Sequence, residues 1–215
     1  MNDNLTEIVF ILDRSGSMAG LEADTIGGFN AMLEKQKQEP GEALLSTVLF
    51  SDRSQVLYDR VDIRKVEPMT AQQYQVGGCT ALLDAIGGAI HHIGKVHKYA
   101  READRPGKTI FVITTDGMEN ASRIYSNEKV KRMVQHEQEK YGWEFLFLGA
   151  DMDAFAAARS FGIREDRTVR YYKDRVGTEL NFAVVDKTIR KFRATKEIDA
   201  DWCCEIDENY KRHEN

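Results

Sequence analysis

The sequence has few of the residues that mark specialised classes of protein. Its 215 residues include only three cysteines and three prolines, and 30 Lys and Arg are outnumbered by 35 Asp and Glu. The resulting net charge of -5 argues against a nucleic-acid partner, because phosphate binding requires basic patches. The sequence also has no uninterrupted apolar stretch near the ~18 residues of a membrane span.

The cysteines do not form a pattern that would stabilise a small secreted fold. Cys79, Cys203 and Cys204 are odd in number with one adjacent pair, which is a poor disulfide framework, and no CxxC spacing is present to hold zinc. The first residues carry no basic segment of the kind that opens a signal peptide. We therefore expect a reduced, soluble, cytoplasmic protein with no membrane segment.

The composition is that of an ordinary globular domain. Hydrophobic residues make up 42% of the chain, with 16 glycines in addition. A domain of this length buries roughly 70% of its unfolded surface and needs no cross-links. We expect one domain over residues 1–195, followed by an acidic tail over residues 196–215 that packs without forming a second domain.

Strand and helix patterns alternate along almost the whole chain. Several segments are continuous apolar runs, which are typical of strands covered on both faces, and others are shorter strand patterns. Strands are predicted at residues 5–12, 43–50, 55–63, 109–114, 143–148 and 168–172. Helical spacing predicts helices at residues 21–38, 68–74, 81–101, 126–140, 151–161 and 177–193. The alternation predicts an α/β protein with a doubly wound sheet and helices on both faces.

One connection in this pattern is too short for a parallel crossover. Only residues 51–54 separate the second and third strands, which must therefore be antiparallel. The third strand is also the most polar, with Asp59, Arg60 and Asp62, and this composition places it at a sheet edge.

Two pairs of glycines interrupt the predicted helices. Gly27-Gly28 and Gly87-Gly88 belong to no phosphate-binding motif, since neither GxxxxGK[ST] nor GxGxxG is present. Close packing of the helices on the sheet is the better explanation for them.

Oxygen-bearing side chains follow two of the predicted strands. Asp13, Ser15 and Ser17 come after the first strand, Asp116 comes after the strand at residues 109–114, and Thr80 lies in a glycine-rich loop. Ligands of doubly wound sheets bind at the carboxyl ends of the strands, where the strand order reverses. Carboxylate and hydroxyl oxygens suit a hard cation such as Mg²⁺, although Mn²⁺ and Ca²⁺ also accept oxygen ligands.

The spacing of these side chains supports one shared site. Gly16 lets the backbone turn between Ser15 and Ser17, so that both hydroxyls can face one point. Asp13 and Asp116 come from strands expected to be neighbours, and two carboxylates there repel unless a cation lies between them. Such a site leaves a coordination position open, which a carboxylate of another molecule can complete.

The pattern Asp13-x-Ser15-x-Ser17, followed by Thr80 and Thr115-Asp116-Gly117, resembles the metal-ion-dependent adhesion site (MIDAS) of the von Willebrand factor A (vWA) family. The resemblance covers roughly residues 5–195 and is greatest to intracellular bacterial vWA proteins associated with tellurium resistance. It implies a Rossmann-like, mostly parallel six-stranded sheet with one antiparallel edge strand. It also implies a bound divalent cation, usually Mg²⁺, and metal-dependent binding of protein.

The resemblance assigns a role to each of the five motif residues. Ser15, Ser17 and Thr80 would be hydroxyl ligands, whereas Asp13 and Asp116 would bind the metal directly or through water. The expected function is that of a non-catalytic module whose metal coordinates an Asp or Glu of a partner protein. The identity of that partner and the oligomeric state stay open.

An enzyme is the alternative that the residues leave open. An acidic side chain at the end of a strand, Asp13, is also typical of a Mg²⁺-dependent phosphoryl hydrolase. Haloacid-type phosphatases place a second Asp two residues after the first, to act as acid and base. Ser15 occupies that position here and cannot do so.

Overall fold

The structure is a computed structural model that describes residues 1–150 and 153–214. The strands are β1 (Asn2–Asp13), β2 (Glu42–Phe50), β3 (Ser54–Asp62), β4 (Pro106–Thr115), β5 (Glu144–Ala150) and β6 (Thr168–Tyr171). The helices are α1 (Glu22–Lys37), α2 (Leu82–Tyr99), α3 (Asn127–Tyr141), α4 (Ala154–Ser160), α5 (Arg175–Thr195) and α6 (Cys204–Glu214). No helix in these ranges is both long and apolar enough to cross a bilayer.

The six strands form one sheet in the order β3-β2-β1-β4-β5-β6. All neighbouring pairs are parallel except β2 and β3, which are antiparallel. The predicted fold class, the antiparallel pair and the edge position of β3 are therefore confirmed. The chain order reverses between β1 and β4, and the carboxyl ends of these two central strands form the switch point at which such sheets bind ligands.

Alternating side chains of β1 supply two separate cores. Ile8, Phe10 and Leu12 point into a cluster with α1, α5 and α6, while Val9 and Ile11 point into a second cluster with α2, α3 and α4. Burying an aliphatic or aromatic side chain of this size stabilises the fold by roughly 1.5–3 kcal/mol. Coverage of both faces explains why the strand reads as a continuous apolar run rather than as an alternating one.

The helix predicted over residues 68–74 is wrong. This segment is irregular and forms only a single turn, in which the Tyr74 amide donates to the carbonyl of Thr70. The Asn30 side chain bonds both the amide (2.8 Å) and the carbonyl (2.9 Å) of Met69, and this carbonyl is one that a helix over residues 68–74 would use.

The start of one other predicted helix differs in detail. The helix predicted over residues 151–161 begins at Ala154 in the structure, with the Asp153 carboxylate accepting from the Ala156 amide at 2.9 Å as an N-cap. The predicted start at Asp151 lies outside the described residues.

The carboxyl-terminal tail contains a helix, α6, that the sequence did not predict. Trp202 and Ile206 are buried in the core cluster shared by α1 and α5, and the Trp202 indole donates to the carbonyl of Asp166 at 2.9 Å. The helix packs against β6 and α5. Few apolar residues are enough to fix it, because they all face the domain.

The glycine pairs have packing roles that differ from the expected one. A Cβ on Gly28 would overlap the ring of Phe182 in α5, and a Cβ on Gly87 would overlap the ring of Tyr125. The close approach is thus to a neighbouring helix and a loop rather than to the sheet. Gly27, by contrast, has no described atom within 4 Å of the position that a Cβ would occupy.

The two adjacent glycines of α1 provide a matched test of this packing. Gly28→Ala should lower the free energy of unfolding by about 1–3 kcal/mol, because the methyl group overpacks the contact with Phe182. Gly27→Ala should leave it unchanged or raise it by up to ~1 kcal/mol, since alanine favours the helix. Urea unfolding of both variants measures the difference, and equal stabilities would contradict the described contact of α1 with α5.

Candidate metal centre

The Asp13 carboxylate joins the ends of the two central strands. One oxygen, Oδ1, accepts from the Ser15 amide at 2.7 Å, and the other, Oδ2, accepts from the Thr115 hydroxyl at 2.6 Å. Both Asp13 and Ser15 are 1% exposed. The turn after β1 is therefore tied to the end of β4 through a single buried side chain.

The hydroxyls after β1 converge as their spacing predicts. A short turn at Gly16–Met18 brings the Ser15 and Ser17 hydroxyl oxygens to 2.9 Å from each other. The Ser17 hydroxyl also donates to Oδ1 of Asp116, which follows β4. Ser17 lies on the exposed side of this group, so that the site opens to solvent there.

The glycine-rich loop brings Thr80 to the same place. Backbone hydrogen bonds fix this loop to the turn after β1, from Gly16 N to Gly78 O and from Gly77 N to Arg14 O, both at 2.9 Å. The Thr80 amide in turn donates to the side-chain oxygen of Asn120 at 2.9 Å.

Gly117 lies between the three loops. A Cβ at this position would be 2.7 Å from the Thr80 hydroxyl and 3.3 Å from the Ser17 hydroxyl. The absence of a side chain therefore leaves the space in which these oxygens face one another. The structure thus brings together all five residues that the motif singles out.

Burial and charge make this arrangement costly without a cation. Burial raises the pKa of Asp13, and the negative charge of Asp116 raises it further, while hydrogen bonds from Thr115 and Ser15 act in the opposite direction. The Asp116 side chain is itself 0% exposed. A positive charge shared by the two carboxylates would offset both the burial and the repulsion.

The donor set fits a hard divalent cation. Its side chains provide two carboxylates and three hydroxyls, which are the oxygen ligands that Mg²⁺ and similar ions prefer. Across residues 1–150 and 153–214, no three His, Cys, Asp or Glu side chains cluster in a way that could hold a metal ion. A cation at this site would therefore depend on the hydroxyls as well as on the two acids.

Two further residues shape the site, and the motif does not include either of them. The Lys173 ammonium lies 2.8 Å from Asp116 Oδ2 and also donates to the carbonyl of Ser17. The buried Tyr74 hydroxyl donates to the carbonyl of Asp13. Lys173 is far from the motif in sequence, whereas Tyr74 lies in the same connection as Thr80, and the fold brings both side chains to the site.

Glu119 has a structural role beside the site. Its carboxylate accepts from the Leu83 amide at 2.8 Å and from the Ser122 amide at 2.7 Å, and so joins the loop after β4 to the first turn of α2. This pairing fixes the relative positions of the loops that carry Thr80 and Asp116.

The raised pKa of Asp13 predicts that this residue destabilises the metal-free fold. With chelator present, Asp13→Asn should melt at a higher temperature than the wild type at neutral pH, because the substitution removes a buried charge. This difference in melting temperature should shrink as the pH falls through the raised pKa of Asp13 towards the ordinary value of 3.8, because Asp13 of the folded wild type then becomes protonated.

Thermal melts of the two proteins across this pH range measure the effect. Asp59→Asn is the control, because Asp59 is 53% exposed and pairs with His92 at the sheet edge. A lower melting temperature for Asp13→Asn than for the wild type at neutral pH would show that the hydrogen bonds of Asp13 outweigh its burial.

Comparison with family models gives no match, and comparison with curated proteins gives none either. Solved structures do match. Proximal thread matrix protein 1 from the mussel byssus, with a zinc-occupied MIDAS motif, is 17% identical with a TM-score of 0.60, over 86% of this chain and 46% of that one. Manganese-loaded TRAP protein of Plasmodium vivax is 14% identical with a TM-score of 0.57, over 84% and 72% of the two chains.

A von Willebrand factor type A structure from Catenulispora acidiphila is 14% identical with a TM-score of 0.55, over 85% of this chain and 42% of that one. This chain thus spans less than half the length of the mussel and Catenulispora proteins that it resembles. At such low identities the likeness establishes the fold alone. The six-stranded sheet, its antiparallel edge strand and the helices on both faces are those of the von Willebrand factor A fold.

Proposed function

We propose that this protein is a metal-dependent protein-binding module with an intact MIDAS. Asp13, Ser15, Ser17, Thr80 and Asp116 hold a divalent cation, and an Asp or Glu of a partner protein takes the open coordination position. The observation that carries the proposal is the convergence of these five side chains at the switch point of the sheet. The hydrogen bonds between Ser15 and Ser17 and from Ser17 to Asp116 support the proposal, because oxygens this close together can bind one ion.

The five residues would have two kinds of role in binding the ion. The hydroxyls of Ser15, Ser17 and Thr80 are the neutral ligands, and Asp13 and Asp116 bind directly or through water. The cation supplies a positive charge with a free position for an anionic oxygen. We propose Mg²⁺ as that cation because all the donors are oxygens, with Mn²⁺ as a substitute of similar preference.

Binding without catalysis is part of the proposal. A haloacid-type phosphatase would need a second Asp two residues after Asp13, to act as both acid and base. Ser15 stands there, and its hydroxyl lies against that of Ser17.

Three broader features belong to the same proposal. Residues 1–195 form the binding unit, and residues 196–215 form an appendage that packs on it. The location is cytoplasmic, as the cysteine content predicts. Membership of the tellurium-resistance type of vWA protein stays a prediction from the motif residues, and the genes adjacent to this one would test it.

Titration calorimetry with Mg²⁺ tests the metal site directly. The wild type should bind one equivalent, and Asp116→Ala should abolish binding, because it removes one of the two carboxylates. Asp59→Ala, an exposed acid at the sheet edge, should bind like the wild type. An unchanged Mg²⁺ affinity in Asp116→Ala would contradict the assignment of Asp116 as a metal ligand.

A turnover assay separates the binding module from the enzyme. With Mg²⁺ present, the wild type should not hydrolyse para-nitrophenyl phosphate above the rate of buffer, because Ser15 stands where a haloacid-type phosphatase has its acid–base Asp. Steady hydrolysis that is lost in Asp13→Ala would identify a phosphoryl hydrolase and contradict the proposal.

A further inference from the structure

A lysine from outside the motif is part of the candidate metal site. Lys173 lies in the connection between β6 and α5, and its ammonium is 2.8 Å from Asp116 Oδ2. It also donates to the carbonyl of Ser17. The lysine side chain is 28% exposed and the Asp116 side chain 0% exposed, so the pair is screened less by water than a surface salt bridge.

The two oxygens of Asp116 have different partners. Oδ1 accepts from the Ser17 hydroxyl and faces the group of hydroxyls, whereas Oδ2 faces Lys173. The ammonium of Lys173 therefore lies beside the cluster of Ser and Thr hydroxyls rather than among them. A cation held by the hydroxyls would act on one side of the Asp116 carboxylate, and Lys173 would act on the other side.

The residues on both sides of Lys173 are fixed. The Tyr172 ring stacks on the imidazole of His213 in α6, with ring centres 4.0 Å apart and planes 11° apart. The Asp174 carboxylate accepts from the Gly177 amide at 2.6 Å and caps α5. His213 also lies 3.6 Å from that carboxylate. Lys173 thus projects from a connection held by α5 and α6.

We propose that Lys173 is a built-in counter-cation of the metal site, an inference that rests on the function proposed above. In the metal-free protein it balances the buried charge of Asp116 and joins this residue to the Ser17 turn. When a divalent cation binds, the ammonium stays in place and repels it. Lys173 therefore lowers the affinity of the site for the metal.

The same charge favours an anionic partner. The two carboxylates alone would be neutralised by a divalent cation, and the loaded site would carry no net charge. With the ammonium of Lys173 added, the loaded site keeps one positive charge. Lys173 thus weakens the binding of the metal but strengthens the attraction of a partner carboxylate to the metal-loaded site.

Binding of Mn²⁺, followed by the electron paramagnetic resonance signal of the free ion, tests this role. Lys173→Gln should bind Mn²⁺ at least about tenfold more tightly than the wild type, because a like charge beside the shared carboxylate is removed. Lys173→Arg, which keeps the charge, should bind within a few fold of the wild type. Lys187→Gln is the matched control, since Lys187 pairs with Glu205 on the surface at 2.6 Å.

The outcomes separate this inference from the proposed function. If neither the wild type nor Lys173→Gln binds Mn²⁺, the metal site itself is wrong. If both bind with equal affinity, or Lys173→Gln binds more weakly, the metal site stands and the counter-cation role is overturned.

Thermal melts in the presence of chelator provide a second readout that needs no metal. Lys173→Gln should melt at a lower temperature than both the wild type and Lys173→Arg, because the buried Asp116 carboxylate loses its ionic partner. Lys187→Gln should melt like the wild type. An unchanged melting temperature for Lys173→Gln would overturn the metal-free half of the proposal.

Discussion

The structure of the site depends on the pairing of one buried carboxylate with two strand ends. Asp13 closes β1, and its two oxygens accept from the Ser15 amide of the following turn and from the Thr115 hydroxyl at the end of β4. These bonds set the direction in which the Ser15 and Ser17 hydroxyls point and the position from which Asp116 reaches them. Burial of a charged group in this place is unfavourable, as the raised pKa of Asp13 shows. The fold keeps the charge where a cation can compensate it.

The fold explains why these residues meet at one point. The sheet order places β1 beside β4 with their carboxyl ends together, and α2 begins at the loop that carries Thr80. Two cores, one on each face, hold the central strands rigidly, since β1 and β4 are buried along most of their length. The loops are then joined by side chains that do not face the cation site, of which Glu119 is an example. Buried strands and joined loops together hold the five motif side chains close to one another.

The sequence was most informative where a single local signal decides the structure. Apolar runs located the buried strands, the short connection at residues 51–54 required β3 to be antiparallel, and the motif residues lay at strand ends that the sheet brings together. Predictions failed where a distant partner decides. Asn30 binds the backbone of Met69 where a helix was predicted, and α6 is fixed by the burial of Trp202 and Ile206. Lys173 was missed for the same reason, because only the packing of the β6–α5 connection brings it to Asp116.

We propose above that the Ser15, Ser17 and Thr80 hydroxyls and the two carboxylates surround one divalent cation. A crystal of the full chain grown with Mn²⁺ and measured near the manganese absorption edge would locate the ion by its anomalous scattering. One strong peak is expected within about 2.5 Å of the Ser15 and Ser17 hydroxyl oxygens, the distance typical of a coordinated oxygen. A fully occupied Mn²⁺ elsewhere on the protein, with these hydroxyls still bonded only to each other and to Asp116, would contradict it.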